Sequence, residues 1–367
     1  MRVLIVPDKF KGTLTAQAAA DAIARGWHKA RPADRLELLP MSDGGDGFGA
    51  VNGALLGAKT QKLRTIDAAH RRCTTSWWWE PKSKTAIIES AGIIGLAQLP
   101  TGWFHPFQLD TIGLAGAIFA AAAKGATRCL IGIGGSATND AGFGLARALG
   151  WKFLDRAGQP IFEWTELHRL SKIEQSPVSK WFRETIVAVD VQNPLLGRHG
   201  CSRIYGPQKG LQPADFPIAE KNLRRLAAIA TKQFHHDFAA EAGAGAAGGL
   251  GFGFRCFLGA KLQPGFDLFA RQSSLAKHIR GADLVISGEG ALDASSLMGK
   301  GVGEVGRLCK KLKVPCIGLA GTVIGRETTQ KYFAQAHGLT ELITATRAKS
   351  NPAYWLERLA RKVGESF

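Results

Sequence analysis

The stretch Ile131–Gly144, IGIGGSATNDAGFG, decides how this chain is read. An apolar run that reads as a strand over 128–133 gives way to glycines at 132, 134 and 135, and hydroxyl, amide and carboxylate side chains follow. Glycines at such positions let the backbone turn sharply and present successive N–H groups. Ser136 and Thr138 are expected to cap a helix over 139–149 whose positive end points at the same spot, an arrangement that receives a phosphate. Glycine turns of this kind also serve only to let a helix pack on a sheet, and this window alone leaves both readings open.

Two other segments end apolar runs in small residues and carboxylates: PMSDGGDGFG at 40–49 and DLVISGEGALDASSLMGKGVG at 283–303. In a parallel α/β sheet the carboxyl ends of the strands share one edge, so the three turns are expected to face one crevice. The chain begins in βαβ order, with a strand over 2–6, a helix over 15–30 capped by Thr15, and a strand over 35–39. That rhythm returns near the C-terminus, with strands over 283–287, 314–319 and 342–346, a helix over 302–312, and a last helix with Asn351 as N-cap and Pro352 at its first position. Between them lies a different pattern. Runs over 74–79 and 85–89 flank EPKSK as a hairpin, helices are expected over 111–124, 217–234 and 246–258, and a strand over 185–190. Two ends that share one pattern around a middle with another predict a discontinuous α/β domain, 1–60 plus 270–367, interrupted by an α/β domain at 61–269 that carries the glycine turn. The triplet Trp77-Trp78-Trp79 reads as hairpin packing. GAGAAGGLG at 243–251 has GxGxxG spacing but follows no strand, so it reads as close helix packing.

Bulk composition narrows the function classes. The chain has 367 residues, 45% hydrophobic and 21% charged, as ordinary globular proteins do. No run approaches the roughly 18 apolar residues of a membrane span, and MRVLIVPDKFKG is too quickly polar for a signal peptide, so a cytoplasmic protein without a membrane partner is expected. The six cysteines form no CxxC pair and are expected to be reduced and buried. The net charge of +17, from 47 Lys and Arg against 30 Asp and Glu, is spread along the chain without a nucleic-acid module. It reads as solvated surface with no nucleic-acid partner.

Phosphate-binding turns with carboxylates and lysines fit phosphoryl transfer assisted by Mg²⁺. A Walker A loop is absent, because Gly301 stands where that motif needs Ser or Thr after Lys300. Dinucleotide binding is the competing class, with Asp155 about 20 residues beyond the glycines as its ribose partner. The polar string SATND opposes it.

The ordered set PDKFKGTLTA, PMSDGGDG, IGIGGSATNDAGFG, DVQNPLLG with YGPQKG, GAGAAGGLGFG with FLGAKLQPG, and DLVISGEGALD ending in GK resembles the bacterial type I glycerate kinase family over nearly the whole chain. The resemblance implies ATP- and Mg²⁺-dependent phosphorylation of glycerate, a small anionic hydroxy acid, at the 2-hydroxyl to give 2-phosphoglycerate. It also implies two α/β domains, one with a flavodoxin-like parallel sheet formed by both chain ends and one resembling a restriction-endonuclease-like fold. The matching residues are Asp8, Lys11, Asp43, Gly44, Gly45, Gly134, Gly135, Ser136, Asn139, Asp140, Asp190, Asn193, Lys209, Glu289, Asp293 and Lys300.

On chemical grounds Gly134, Gly135 and Ser136 cradle phosphates, and the resemblance implies that Asn139, Asp140, Asp43, Gly44 and Gly45 complete the nucleotide site. Glu289 and Asp293 hold Mg²⁺, and Lys11 or Lys300 neutralises the transferred group. Asp190 is the candidate base, with Asp140 as second choice. Several positions depart from the family pattern: Lys9 for serine, Asp46 for glutamate, Phe48 for threonine, Ile112, Leu114 and Ala115 in DTIGLAG, and Ala291, Ser295 and Ser296 for an arginine and a Gln-Thr pair. Loss of an arginine removes a bidentate grip on an anion. A diverged member acting on another small hydroxy acid, or with weak or no kinase activity, is therefore the alternative.

Overall fold

The computed structural model describes residues 1–178, 180–293, 301–325 and 329–367. Its strands are β1 (Arg2–Pro7), β2 (Arg35–Leu38), β3 (Lys59–Ile66), β4 (Arg72–Glu80), β5 (Thr85–Glu89), β6 (Arg128–Gly132), β7 (Lys152–Leu154), β8 (Lys172–Glu174), β9 (Glu184–Val189), β10 (Lys261–Pro264), β11 (Leu284–Leu292), β12 (Cys316–Val323) and β13 (Gln335–Gly338). They belong to two units, Met1–Asp43 with Gly265–Phe367, and Gly44–Pro264.

In the first unit five parallel strands run in the order β13-β12-β11-β1-β2. The central strands are continuous apolar runs because both faces of such a sheet are covered; Leu4, Ile5, Val6, Val285 and Ile286 are wholly buried. The order is that of a flavodoxin-like doubly wound sheet, whose direction of winding reverses between β1 and β11. Helices Ala16–Ala30 and Pro352–Glu365 cross tightly on each other: a Cβ added at Gly26 would sit 2.1 Å from the Glu357 carbonyl. Thr15 caps the first helix, its hydroxyl accepting the Ala18 N–H at 3.1 Å, whereas Asn351 makes no side-chain cap to the last.

Two expectations need correction here. The fifth strand is Gln335–Gly338, not 342–346; Leu342 and Ile343 donate back to the Leu339 carbonyl in a tight turn, and a helix follows over Ala345–Ser350. Both side chains pack on the unit's core from that turn, which explains an apolar run without a strand. Strands β11 and β12 also run past residues 287 and 319, pairing Glu289 with Ala320 and Ala291 with Thr322. Glycine permits it: a Cβ at Gly321 would lie 2.4 Å from the Gly290 carbonyl.

The second unit holds a mixed six-stranded sheet, β10-β9-β6-β5-β4-β3. Strands β10, β9, β6 and β5 are parallel, and the β3-β4-β5 edge is antiparallel. The EPKSK turn between β4 and β5 closes on the Glu80 carboxylate, which accepts the N–H groups of Lys82 at 2.9 Å and Ser83 at 2.6 Å. Trp77 is buried, and the Trp78 ring fills the space over Gly49 and Gly53 on helix Phe48–Leu56. That helix thus belongs to the second unit, and the division falls at 43/44 and 264/265, where the sequence reading set it near 60 and 270. All six cysteines are unpaired thiols, and five are buried. Among the described residues no helix is long and apolar enough to cross a membrane.

Helix Ala246–Leu258 confirms the packing reading of the glycine run. Gly248 adopts φ +71°, and a Cβ there would lie 1.9 Å from the Thr138 carbonyl. Gly248→Ala is therefore expected to lower stability by roughly 2–3 kcal/mol, from backbone strain and displacement of the 136–140 loop. Urea denaturation of the full chain measures this, and an unchanged midpoint would contradict it.

Candidate active site

In the first unit the chemistry gathers where β1 and β11 leave the sheet. Asp8 follows β1 directly, and its N–H donates to the Gly288 carbonyl at 2.8 Å, which places it beside Glu289. The chain after β2 returns to the same edge, the Met41 N–H bonding the Pro7 carbonyl at 3.0 Å, and this brings in Asp43. Asp8 is only 8% exposed. Burial, then the neighbouring Asp43 carboxylate, and further Glu289, hold its carboxyl well above the ordinary carboxylate range, against the pull of Lys9 and its backbone N–H. Like charges crowded at a sheet edge favour a cation among them. Gly290 lets the 10–11 backbone approach, with a Cβ there only 3.2 Å from the Lys11 nitrogen. The side chain of Met41 and, further off, Asp43 meet Gly301, where helix Gly301–Leu312 begins. Asp293 is half-buried just beyond β11. Lys300, Ser295 and Ser296 lie outside the described residues.

Among the described residues no group of three or more His, Cys, Asp or Glu side chains is set as a metal cage. Mg²⁺ is commonly held by one or two carboxylates together with substrate phosphates, and Asp43 and Glu289, both felt by the Asp8 carboxyl, are a hard-oxygen pair of that kind.

In the second unit the glycine turn follows β6. Its glycines allow close packing. A Cβ at Gly132 would lie 2.5 Å from the Phe48 ring and one at Gly134 2.6 Å from the Gly45 Cα, so these glycines admit the 44–48 segment. The Gly134 N–H donates to the Gly44 carbonyl at 3.1 Å, and Gly135 has φ +79°. Gly44 in turn packs on Ala188 of β9. Beyond β9, Asp190 is exposed. Asn193, which accepts the Tyr205 hydroxyl at 2.6 Å, stands nearby in sequence; burial, then the Asp190 charge, push the Tyr205 phenol up to about 12.

The helix after the turn does not start where the sequence suggested. It spans Phe143–Ala148 and follows Gly142 at φ +73°, with no side-chain cap from Ser136 or Thr138. Those hydroxyls instead bond each other at 2.9 Å, and Ser136 accepts the Thr138 N–H at 3.1 Å. Asp140 takes over the capping. Wholly buried, it accepts from the Gly144 N–H at 2.9 Å, the Thr111 N–H at 3.0 Å and the Thr111 hydroxyl at 2.7 Å. Burial, then Asp110, push its carboxyl up to about 6, against those bonds. Both Asp140 oxygens thus accept bonds that hold its own loop and the Thr111 turn together.

Asn139 is also wholly buried; its amide donates to the Ser202 hydroxyl at 2.9 Å, and its carbonyl oxygen has no hydrogen-bond partner among the described residues. Lys209, for which the sequence suggested no role, buries its ammonium and donates to the Thr138 carbonyl at 2.6 Å; burial lowers it to about 8. Glu89 was missed altogether. At the end of β5 it accepts the N–H groups of Gly47 at 3.0 Å and Gly49 at 2.9 Å, closing the N-terminus of helix Phe48–Leu56. Its signal was a carboxylate ending an apolar run. Asp155 binds its own turn at Ala157 and Gln159 and pairs with Arg169 at 2.6 Å, which removes it as a ribose partner.

The sequence profile described as the glycerate kinase family matches residues 3–367. The chain belongs to the glycerate kinase family. It is 38% identical to the glycerate 2-kinase of Escherichia coli K12, over 88% of this chain and 86% of that protein. It is 34% identical to the glycerate kinase of Bacillus subtilis 168, over 100% and 98%. A crystal structure of a candidate glycerate kinase 2 from Salmonella typhimurium LT2 matches with a TM-score of 0.81 at 30% identity, over 100% of this chain and 98% of that one. Membership of this glycerate kinase family makes the chain a kinase.

The Asp140 environment carries a pH signature. Its folded value, about 6, lies above the ordinary 3.8, so its stabilising contribution is complete below pH 3.8 and is lost as pH rises through about 6. From pH 4.5 to 7.5, the unfolding free energy of wild type relative to Asp140→Asn is expected to fall by on the order of 1–3 kcal/mol. Urea titrations of both proteins at the two pH values check the sign.

Proposed function

We propose that the protein transfers the terminal phosphoryl group of ATP to the 2-hydroxyl of glycerate, giving 2-phosphoglycerate, with Mg²⁺ and in the cytoplasm. The observation that carries this reading is the crowd of carboxylates at the β1/β11 switch point, since phosphoryl transfer rests on a cation held by hard oxygens where phosphate charge develops. The names of the relatives support glycerate as the acceptor.

Glu289 and Asp293 would hold the Mg²⁺, which would supply neutralisation of phosphate charge. Gly134, Gly135 and Ser136 present the turn that receives phosphates, while Lys209 and Asp140 fix that turn from beneath. Lys11 supplies a positive charge to the transferred group or the substrate carboxylate. Asp190 takes the proton of the attacking hydroxyl as the new O–P bond forms and the bond to ADP breaks. The half-buried Ala291, in the place of an arginine, keeps another small hydroxy acid open as substrate.

A coupled ADP-release assay with ATP, Mg²⁺ and D-glycerate, beside L-glycerate and tartronate, tests the reading, with the product position read by NMR. Glycerate-dependent turnover is expected; turnover with tartronate alone would redirect the substrate. Asp293→Ala is expected to lower kcat at least about 100-fold, and Asp190→Asn by roughly 100- to 10,000-fold, both with unchanged melting temperature. Full activity in both variants would remove the proposed site.

A further inference from the structure

At the amino ends of its strands, the first unit carries a hollow of about 390 Å³ that the kinase reading does not use. Arg2 of β1 and Arg35 of β2 are direct partners in the parallel register, so their side chains leave the same face side by side. Lys277, on helix Leu275–Gly281, lines the same hollow, as does the buried Leu4. Like charges placed opposite each other on paired strands cost stability unless something answers them.

Two carboxylates stand near. Asp283 meets Arg2 at 3.1 Å, and Glu37, which also lines the hollow, bonds the His278 ring at 2.6 Å, so three cationic side chains face one lining carboxylate. Among the described residues no carboxylate lies within ion-pair distance of Arg35 or Lys277, although both line the cavity. Two arginines paired in register and a lysine line one hollow, and guanidinium forks with an ammonium are the donors that suit a phosphate.

We infer that this hollow is a second anion site, which takes a small phosphorylated molecule carrying at least two negative charges. Strand β1 separates it from Asp8, a distance of about 20 Å for six extended residues, so it is distinct from the carboxylate edge. Its ligand is a phosphorylated metabolite rather than the cation-bound phosphoryl donor, because a single lining carboxylate, Glu37, is there to share a cation and one of its oxygens already meets His278.

Inorganic pyrophosphate is the probe. Calorimetric titration of the full chain saturated with ADP is expected to show binding that persists, since ADP occupies the catalytic nucleotide site. The double variant Arg35→Gln with Lys277→Gln is expected to weaken that binding at least tenfold while melting cooperatively. If the double variant does not melt cooperatively, Lys277→Gln alone, on an exposed helix position, is expected to weaken binding about threefold. Absence of pyrophosphate binding to the ADP-saturated wild type, or equal binding by wild type and variant, overturns the inference. The comparison of wild type with the Arg35 and Lys277 variant reads this site whether or not ADP binds, so a failure of the kinase assay is distinguishable from a failure here.

Discussion

The pairing of β1 with β11 is the constraint on which the rest depends. It joins Val3 to Leu284 and Pro7 to Gly288 across about 280 residues, so the first unit has no central sheet until both chain ends are present. The long closure is unfavourable in entropy, and the buried apolar ladder on both faces must offset it. The same pairing sets Asp8 beside Glu289. A slip of one residue would turn their neighbours to the opposite face and disperse the carboxylates.

The second unit solves a different problem, that of holding a polar loop inside an apolar shell. Around residues 136–140 it buries a carboxylate, an amide and an ammonium, and nearly every one of their polar atoms finds a partner. Lys209 reaches the loop from helix Cys201–Lys209, Thr111 from a loop far upstream, and Gly248 from the kinked start of a helix. Partly satisfied networks of this kind are costly, whereas a filled one fixes a single conformation. Rigidity in the turn would suit the proposed phosphate site, since donors that are already aimed lose little freedom on binding.

Much of this was legible in the residues. The βαβ start, the hairpin at EPKSK and the returning rhythm at the C-terminus follow from period and turn chemistry, and the structure has them. The six-motif resemblance named the family that the full-length match establishes. What remained hidden depended on contacts between distant residues. Nothing local distinguishes the Leu342-Ile343 run from a strand, because the turn that claims it is set by Leu339. Nothing near Asp140 says that Thr111, 29 positions away, donates to it and ties the two loops together. The glycines of 288–291 looked like a strand end, and only the opposing glycine at 321 shows why the ladder continues.

Glu89 has a consequence of its own. A helix start carries partial positive charge and invites any anion within reach. Helix Phe48–Leu56 begins only a few residues from the glycine turn's partners at Gly44 and Gly45, and an unoccupied end there would be a decoy for nucleotide phosphate. With a carboxylate from its own chain seated on Gly47 and Gly49, that decoy is occupied from the moment the unit folds. On the proposed reading, selectivity for where a phosphate lands would rest partly on this internal carboxylate.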